Sequence, residues 1–168
     1  MSSAKSPALM PADLHDALQH ALIEVSENAY FVFVEPADAA QFATAVEQVK
    51  TTWLKVSVTF AGAFAGAVEI TLPERLGNWL VTSLLGMDTE QTLPEPQMFD
   101  GVGEFANMVC GAWLSKLSDL AMFELRVPAV TRMAPEWNPL VETRAGHELA
   151  CRMVSLNDLP MRVLIRSN

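Results

Sequence analysis

WLKVSVTFAGAFAGAVEITLP, residues 53–73, alternates twice between apolar and polar side chains. Leu54, Val56, Val58 and Phe60 fall on one face of an extended chain and Lys55, Ser57 and Thr59 on the other, because successive strand side chains point to opposite faces. After Ala61–Ala65 the pattern resumes, with Gly66, Val68, Ile70 and Leu72 against Glu69 and Thr71. Two period-two runs around a short glycine-containing link predict an antiparallel hairpin with a bulge. The apolar stretch at its centre, Val58–Val68, is well short of the roughly 20 residues a membrane span needs, and its Gly/Ala content suits two strands and a turn.

On the N-terminal side of this hairpin, Pro11-Ala-Asp13 opens a helix with Leu14, Leu18, Leu22 and Val25 at helical spacing, fading near Asn28. Tyr30–Val34 is a β-rich run closed by Glu35-Pro36, and residues 37–50 suit either a short helix or a loop. On the C-terminal side, Pro73 ends the strand and opens a helix lined by Leu76, Leu80 and Leu84, with Gly86 as its stop. Asp88–Pro96 reads as a loop and about Gln97–Leu120 as the longest helix. Residues 121–131 look like a strand interrupted at Pro128, and 132–146 like a loop. Residues 148–156 and 160–166 pair as a second hairpin around Asn157-Asp158-Leu159. This order predicts an α+β fold, a largely antiparallel sheet built from hairpins with long helices packed on it. Residues 1–10 read as a flexible lead-in and 11–168 as a single domain.

The chain has 168 residues, enough to bury a sizeable core, with 51% hydrophobic and 18% charged residues, a globular balance. A net charge of −9 and scattered basic residues argue against nucleic acid, whose phosphates would be repelled. MSSAKSPALMP lacks the apolar core of a secretory signal, so a cytoplasmic protein without membrane contact is expected. Cys110 and Cys151 have apolar neighbours and no CxxC spacing, and read as buried free thiols. His15 and His20 are five apart and His147 stands alone, so a metal site from this chain's own ligands is not expected.

The polar exception lies in DGVGEFANMVCG, residues 100–111. At about 100° per residue, Val102, Phe105, Val109, Trp113 and Leu120 gather on one arc of the helix. Asp100, Glu104, Asn107 and Gly111 fall within roughly 60° of one another on the opposite side. Glycine in a helix interior costs up to about 1 kcal/mol relative to alanine. Gly103 and Gly111, flanking the Glu/Asn pair, therefore suggest room for another molecule's backbone, with Gly101 assigned to a fraying first turn. On the wheel alone, solvated polar side chains and glycines that simply pack remain the simpler account.

Asp100-x-x-x-Glu104-x-x-Asn107 resembles the signature of the CheC/CheX chemotaxis phosphatases, in which Asp or Ser, Glu and Asn at these spacings precede a downstream Pro. Pro128 stands in about that place, slightly nearer the motif than the family spacing. CheC-like proteins carry two such helices and CheX-like proteins one. Glu24/Asn28 and Glu74/Asn78 are each four apart, not ExxN, so the chain resembles the single-motif, CheX-like kind. The resemblance implies a phosphatase acting on the phospho-aspartate of a CheY-like response regulator. Asn107 would orient the attacking water and Glu104 would anchor the regulator's active-site lysine, these two being the catalytic pair. Asp100 would complement the helix N-terminus and, with Gly103 and Gly111, lie on the partner-binding side. No cofactor is expected in this chain; Mg²⁺ would be bound by the regulator. A CheX-like binding or scaffold module that does not hydrolyse the phosphate is the alternative, and a homodimer through an apolar strand edge is also expected.

Overall fold

The structure, a computed structural model, describes residues 11–117, 122–141 and 146–168. Residues 1–10, the last residues of the expected long helix (Leu120 included), residue 121 and residues 142–145 lie outside the described residues. The order is α1 (Pro11–Ala29), β1 (Glu35–Pro36), α2 (Ala39–Gln48), β2 (Trp53–Gly62), β3 (Gly66–Pro73), α3 (Glu74–Leu84), α4 (Glu95–Leu117), β4 (Phe123–Leu125), β5 (Ala129–Arg132), β6 (His147–Leu156) and β7 (Leu159–Ser167). The strands form one antiparallel sheet in the order β1-β6-β7-β3-β2-β4, with β5 also on β2. The α+β expectation holds.

The 53–73 hairpin lies at the heart of this sheet. Leu54, Val56, Val58 and Phe60 are buried on one face, with Val68, Ile70 and Leu72 beside them. Its register runs from Trp53↔Pro73 to Phe60↔Gly66 without a shift, so the expected bulge is absent there. The link 61–65 absorbs the reversal instead, and the irregularity falls between Glu148 and Ala150 in β6. The second hairpin turns on two residues rather than three: Asn157 and Asp158 both have positive φ (49° and 60°), and Leu159 already belongs to β7. Two left-handed residues give the turn a twist that matches right-handed strands.

α1, α3 and α4 pack on the Leu54/Val56 face through Leu18, Leu22, Leu76, Leu80, Phe105 and Val109, all fully buried. Trp53, of opposite parity, forms a smaller cluster on the other face with Phe42 and Val46 of α2. The ambiguous 37–50 stretch is thus helical. A capping box starts it: Gln41 N–H donates to Asp38 Oδ1 at 2.8 Å, and Asp38 N–H donates to Gln41 Oε1 at 2.9 Å. Leu84, expected to line α3, is exposed; Val81 packs in its stead.

Tyr30–Val34 departs from expectation. Its burial alternates like a strand, with Tyr30, Val32 and Val34 inside and Phe31 and Phe33 outside, but it joins no ladder. Phe31 has φ 56°, and the Val32 N–H donates back to Ser26 O at 2.9 Å. That turn spends a donor a ladder would need, and only Glu35-Pro36 reaches β6, opposite Ser155 and Val154. Further along the β6 rim, Ala37 N–H donates to Met153 O, and His15 Nδ1 lies 3.2 Å from both Cys151 N and O. Cys151 is half-buried rather than buried.

Candidate functional site

α4 begins at Glu95, two residues earlier than its apolar spacing suggests, and its core face is firmly held. Val102, Phe105, Val109 and Trp113 are buried; Trp113 Nε1 donates to Leu14 O at 3.2 Å, and the Tyr30 ring meets Phe105 edge-on with centroids 5.1 Å apart. A helix anchored on one side displays its other side in a fixed orientation. Asp100 and Glu104 are exposed there and Asn107 half-buried. Among the described residues no cation pairs with Asp100 or Glu104, and no hydrogen bond occupies the Asn107 amide. Two carboxylates and an amide, which both donates and accepts, thus line one accessible stripe.

The three glycines of this helix have different surroundings. A Cβ on Gly101 would lie 2.5 Å from Val81 Cγ2, so this glycine admits α3 rather than fraying. A Cβ on Gly103 would lie 3.2 Å from Pro128 Cβ, and Gly103 is buried under that proline. Gly103 therefore brings Pro128 down beside Glu104 instead of facing solvent. A Cβ on Gly111 would meet nothing within 4 Å. Only Gly111 leaves open space on the stripe.

Pro128 is seated by its neighbours. Lacking an N–H, it falls in the gap between β4 and β5, both paired to β2. Below it, Arg132 grips Glu74 through Nη2–Oε1 (2.6 Å) and Nε–Oε2 (2.9 Å), donates to Glu95 through Nη1, and lies 5.5 Å over the Phe99 ring. Thr52 Oγ1 also donates to Glu74. The Arg132 hydrogen bonds, then Thr52, hold the Glu74 carboxyl below the usual carboxylate range against the opposing pull of burial, and the Arg132 guanidinium is pushed up in turn. Glu74 and Asn78, the off-spacing pair of α3, are thereby accounted for: Asn78 Nδ2 donates to Gln91 O at 2.8 Å and its Oδ1 accepts the Leu93 N–H at 2.9 Å.

A cleft of about 1040 Å³ opens between α3, the 89–95 loop and the β6–β7 turn, lined by Glu74, Arg75, Trp79, Glu95 and Arg132 among others. None of Asp100, Glu104 and Asn107 lines it. The candidate stripe is an exposed helix face outside this cleft. Burial pushes the Cys110 thiol up to about 12, which leaves it inert. The Tyr30 hydroxyl is likewise pushed up to about 12, first by burial and then by the Glu104 charge, which ties the 30–34 segment to the stripe. Among the described residues no group of three or more His, Cys, Asp or Glu could hold a metal, and no helix is long and apolar enough to cross a membrane.

Residues 54–136 match the family model described as chemotaxis phosphatase CheX, a span that holds the hairpin, the stripe and Pro128. No curated protein matches the chain in sequence. Among solved structures, CheX of Vibrio vulnificus is 18% identical and aligns 96% of this chain with 100% of its own at a TM-score of 0.66. CheX of Desulfovibrio desulfuricans is 15% identical, over 93% and 99%, at 0.67. The Borrelia burgdorferi CheX–CheY–BeF3–Mg²⁺ complex is 15% identical, over 90% and 95%, at 0.60. At such identities the structural likeness carries the fold, and the family match carries the CheX pattern over residues 54–136.

Proposed function

From the CheX resemblance as premise, we propose that this chain hydrolyses the phospho-aspartate of a CheY-like response regulator, with Asn107 as the water-orienting residue and Glu104 as the anchor for the regulator's active-site lysine. The observation that carries the reading is the accessible Glu104/Asn107 stripe on a helix whose opposite face is buried in the core. Phosphoryl transfer is governed by positioning and charge stabilisation more than by covalent help from the enzyme. An amide serves this chemistry: its oxygen accepts a hydrogen bond from the water while its N–H₂ can donate one, aligning the water with the breaking P–O bond. No general base is required, since the leaving group is an acyl carboxylate. Glu104, one turn earlier, supplies the charge that pairs with a lysine and fixes the depth of insertion. The divalent ion belongs to the regulator's own acidic residues. Asp100 and Gly111 complete the contact surface, the first by charge and the second by lack of bulk, while Gly103 serves it indirectly by seating Pro128.

Asn107→Ala is expected to lower phosphate release from the phosphorylated regulator by on the order of 10²-fold, near 3 kcal/mol of barrier, while the melting temperature stays put. Phosphate release at the wild-type rate in that variant would remove Asn107 from the mechanism. A wild-type chain that binds phosphorylated receiver domains without releasing phosphate would be a binding module instead.

A further inference from the structure

Tyr30 is 1% exposed, and its hydroxyl, buried with the ring, meets no hydrogen-bond partner among the described residues. A buried hydroxyl without a partner costs free energy, because it gives up water and gains nothing in exchange. Phenylalanine would fill the same space with nothing to desolvate. Packing of the core therefore does not account for the hydroxyl, and a reason has to lie in what surrounds it.

Those surroundings lead to the stripe. The Tyr30 ring meets Phe105 edge-on, with planes at 89°, and Phe105 is the residue after Glu104. The backbone pins the tyrosine there: Phe31 turns at φ 56°, and the Val32 N–H returns to Ser26 O at 2.9 Å. The Glu104 charge is felt at the hydroxyl and, after burial, helps it keep its proton. Glu104 itself is exposed, and no cation pairs with it among the described residues. A fixed donor thus lies within electrostatic reach of an acceptor that is free to turn.

We propose that Tyr30 is a positioning residue for Glu104: its buried hydroxyl donates to the Glu104 carboxylate as that side chain folds back over it, and so fixes the direction in which the stripe presents its charge. A carboxylate held by one hydrogen bond keeps its remaining lone pairs for a cation. Without the tether the charge stays but is spread over several rotamers, and a contact that depends on direction is made less often. The consequence for catalysis rests on the phosphatase reading; the pairing of the two side chains does not.

The test begins with the free full-length chain. Tyr30 is its only tyrosine, so labelling tyrosine with carbon-13 at Cζ gives a single resonance whose shift follows the hydroxyl's hydrogen bond. At neutral pH that resonance is expected to move in Glu104→Ala and to stay in place in Asp100→Ala, which removes an equal charge one turn away. No movement in Glu104→Ala, or equal movement in both, overturns the pairing. Tyr30→Phe is expected to leave the melting temperature unchanged or raised. It is expected to lower kcat/KM on the host's receiver domains, phosphorylated with acetyl phosphate, by on the order of 10-fold. Added to Glu104→Ala, it is expected to cost nothing further. Wild-type turnover in Tyr30→Phe overturns the positioning role, as does a loss that multiplies with that of Glu104→Ala. A lowered melting temperature overturns it too, by assigning the hydroxyl to the fold through a buried water. An Asn107→Ala chain as active as wild type fails the phosphatase reading alone, because the resonance of the free chain still reads the pairing.

Discussion

At the scale of single residues, Gly101, Gly103 and Gly111 stand on one helix for separate reasons. Alanine at 101 would gain helix propensity, about 1 kcal/mol, but lose more by driving a methyl into Val81. Alanine at 111 would keep the gain, since nothing lies within 4 Å of the new methyl. Gly111→Ala is therefore expected to raise stability by about 0.5–1 kcal/mol in denaturant titration, and to weaken receiver binding by intruding on the stripe. Equal binding by the more stable variant would release Gly111 from the contact surface. The sequence alone separates Gly111 from the core arc, because angular position is fixed by spacing. It does not distinguish Gly101 or Gly103 from it, because their reasons are Val81 and Pro128, which lie 20 and 25 positions away and meet them only in the folded chain.

At the scale of elements, Arg132 binds the end of β5 to the starts of α3 and α4. The Glu74 carboxyl is depressed in the folded chain, so its contribution is present above the ordinary carboxylate value of 4.5 and is lost as pH falls through the depressed one. With both partners partly exposed, that contribution is about 1 kcal/mol or less. Glu74→Gln is expected to shrink the drop in unfolding free energy between neutral pH and pH 3 by that amount; an identical acid profile would show that the pair is energetically silent. The clamp could not be read from residues 58 positions apart. What could be read were elements whose periodicity is set by their own burial: β2, β3, α1 and α4. Tyr30–Val34 marks the boundary of that method, since alternation reports which side chains go inside and says nothing of whether a backbone finds a partner. α2 shows a usable signal, because Asp38 and Gln41 stand at capping-box spacing three residues apart.

At the scale of the whole molecule, the outer sides of β2 and β6 are each partly covered. On β2, two brief strands split by Pro128 occupy the outer side. On β6, β1 pairs Ser155 and Val154, Ala37 takes Met153 O, and the His15 imidazole sits against Cys151. With Nδ1 unprotonated, that ring accepts the Cys151 N–H as a neighbouring strand would. A side chain has thus been put where a further β-chain would have to begin, and a sheet capped this way resists serial growth into fibrils from that rim. His15→Ala uncaps it. The expected outcome is faster light scattering on prolonged warming with phosphate release unchanged; equal scattering would mean that some other group guards the rim. An imidazole that joins no metal-holding group among the described residues would then have a backbone to cap instead.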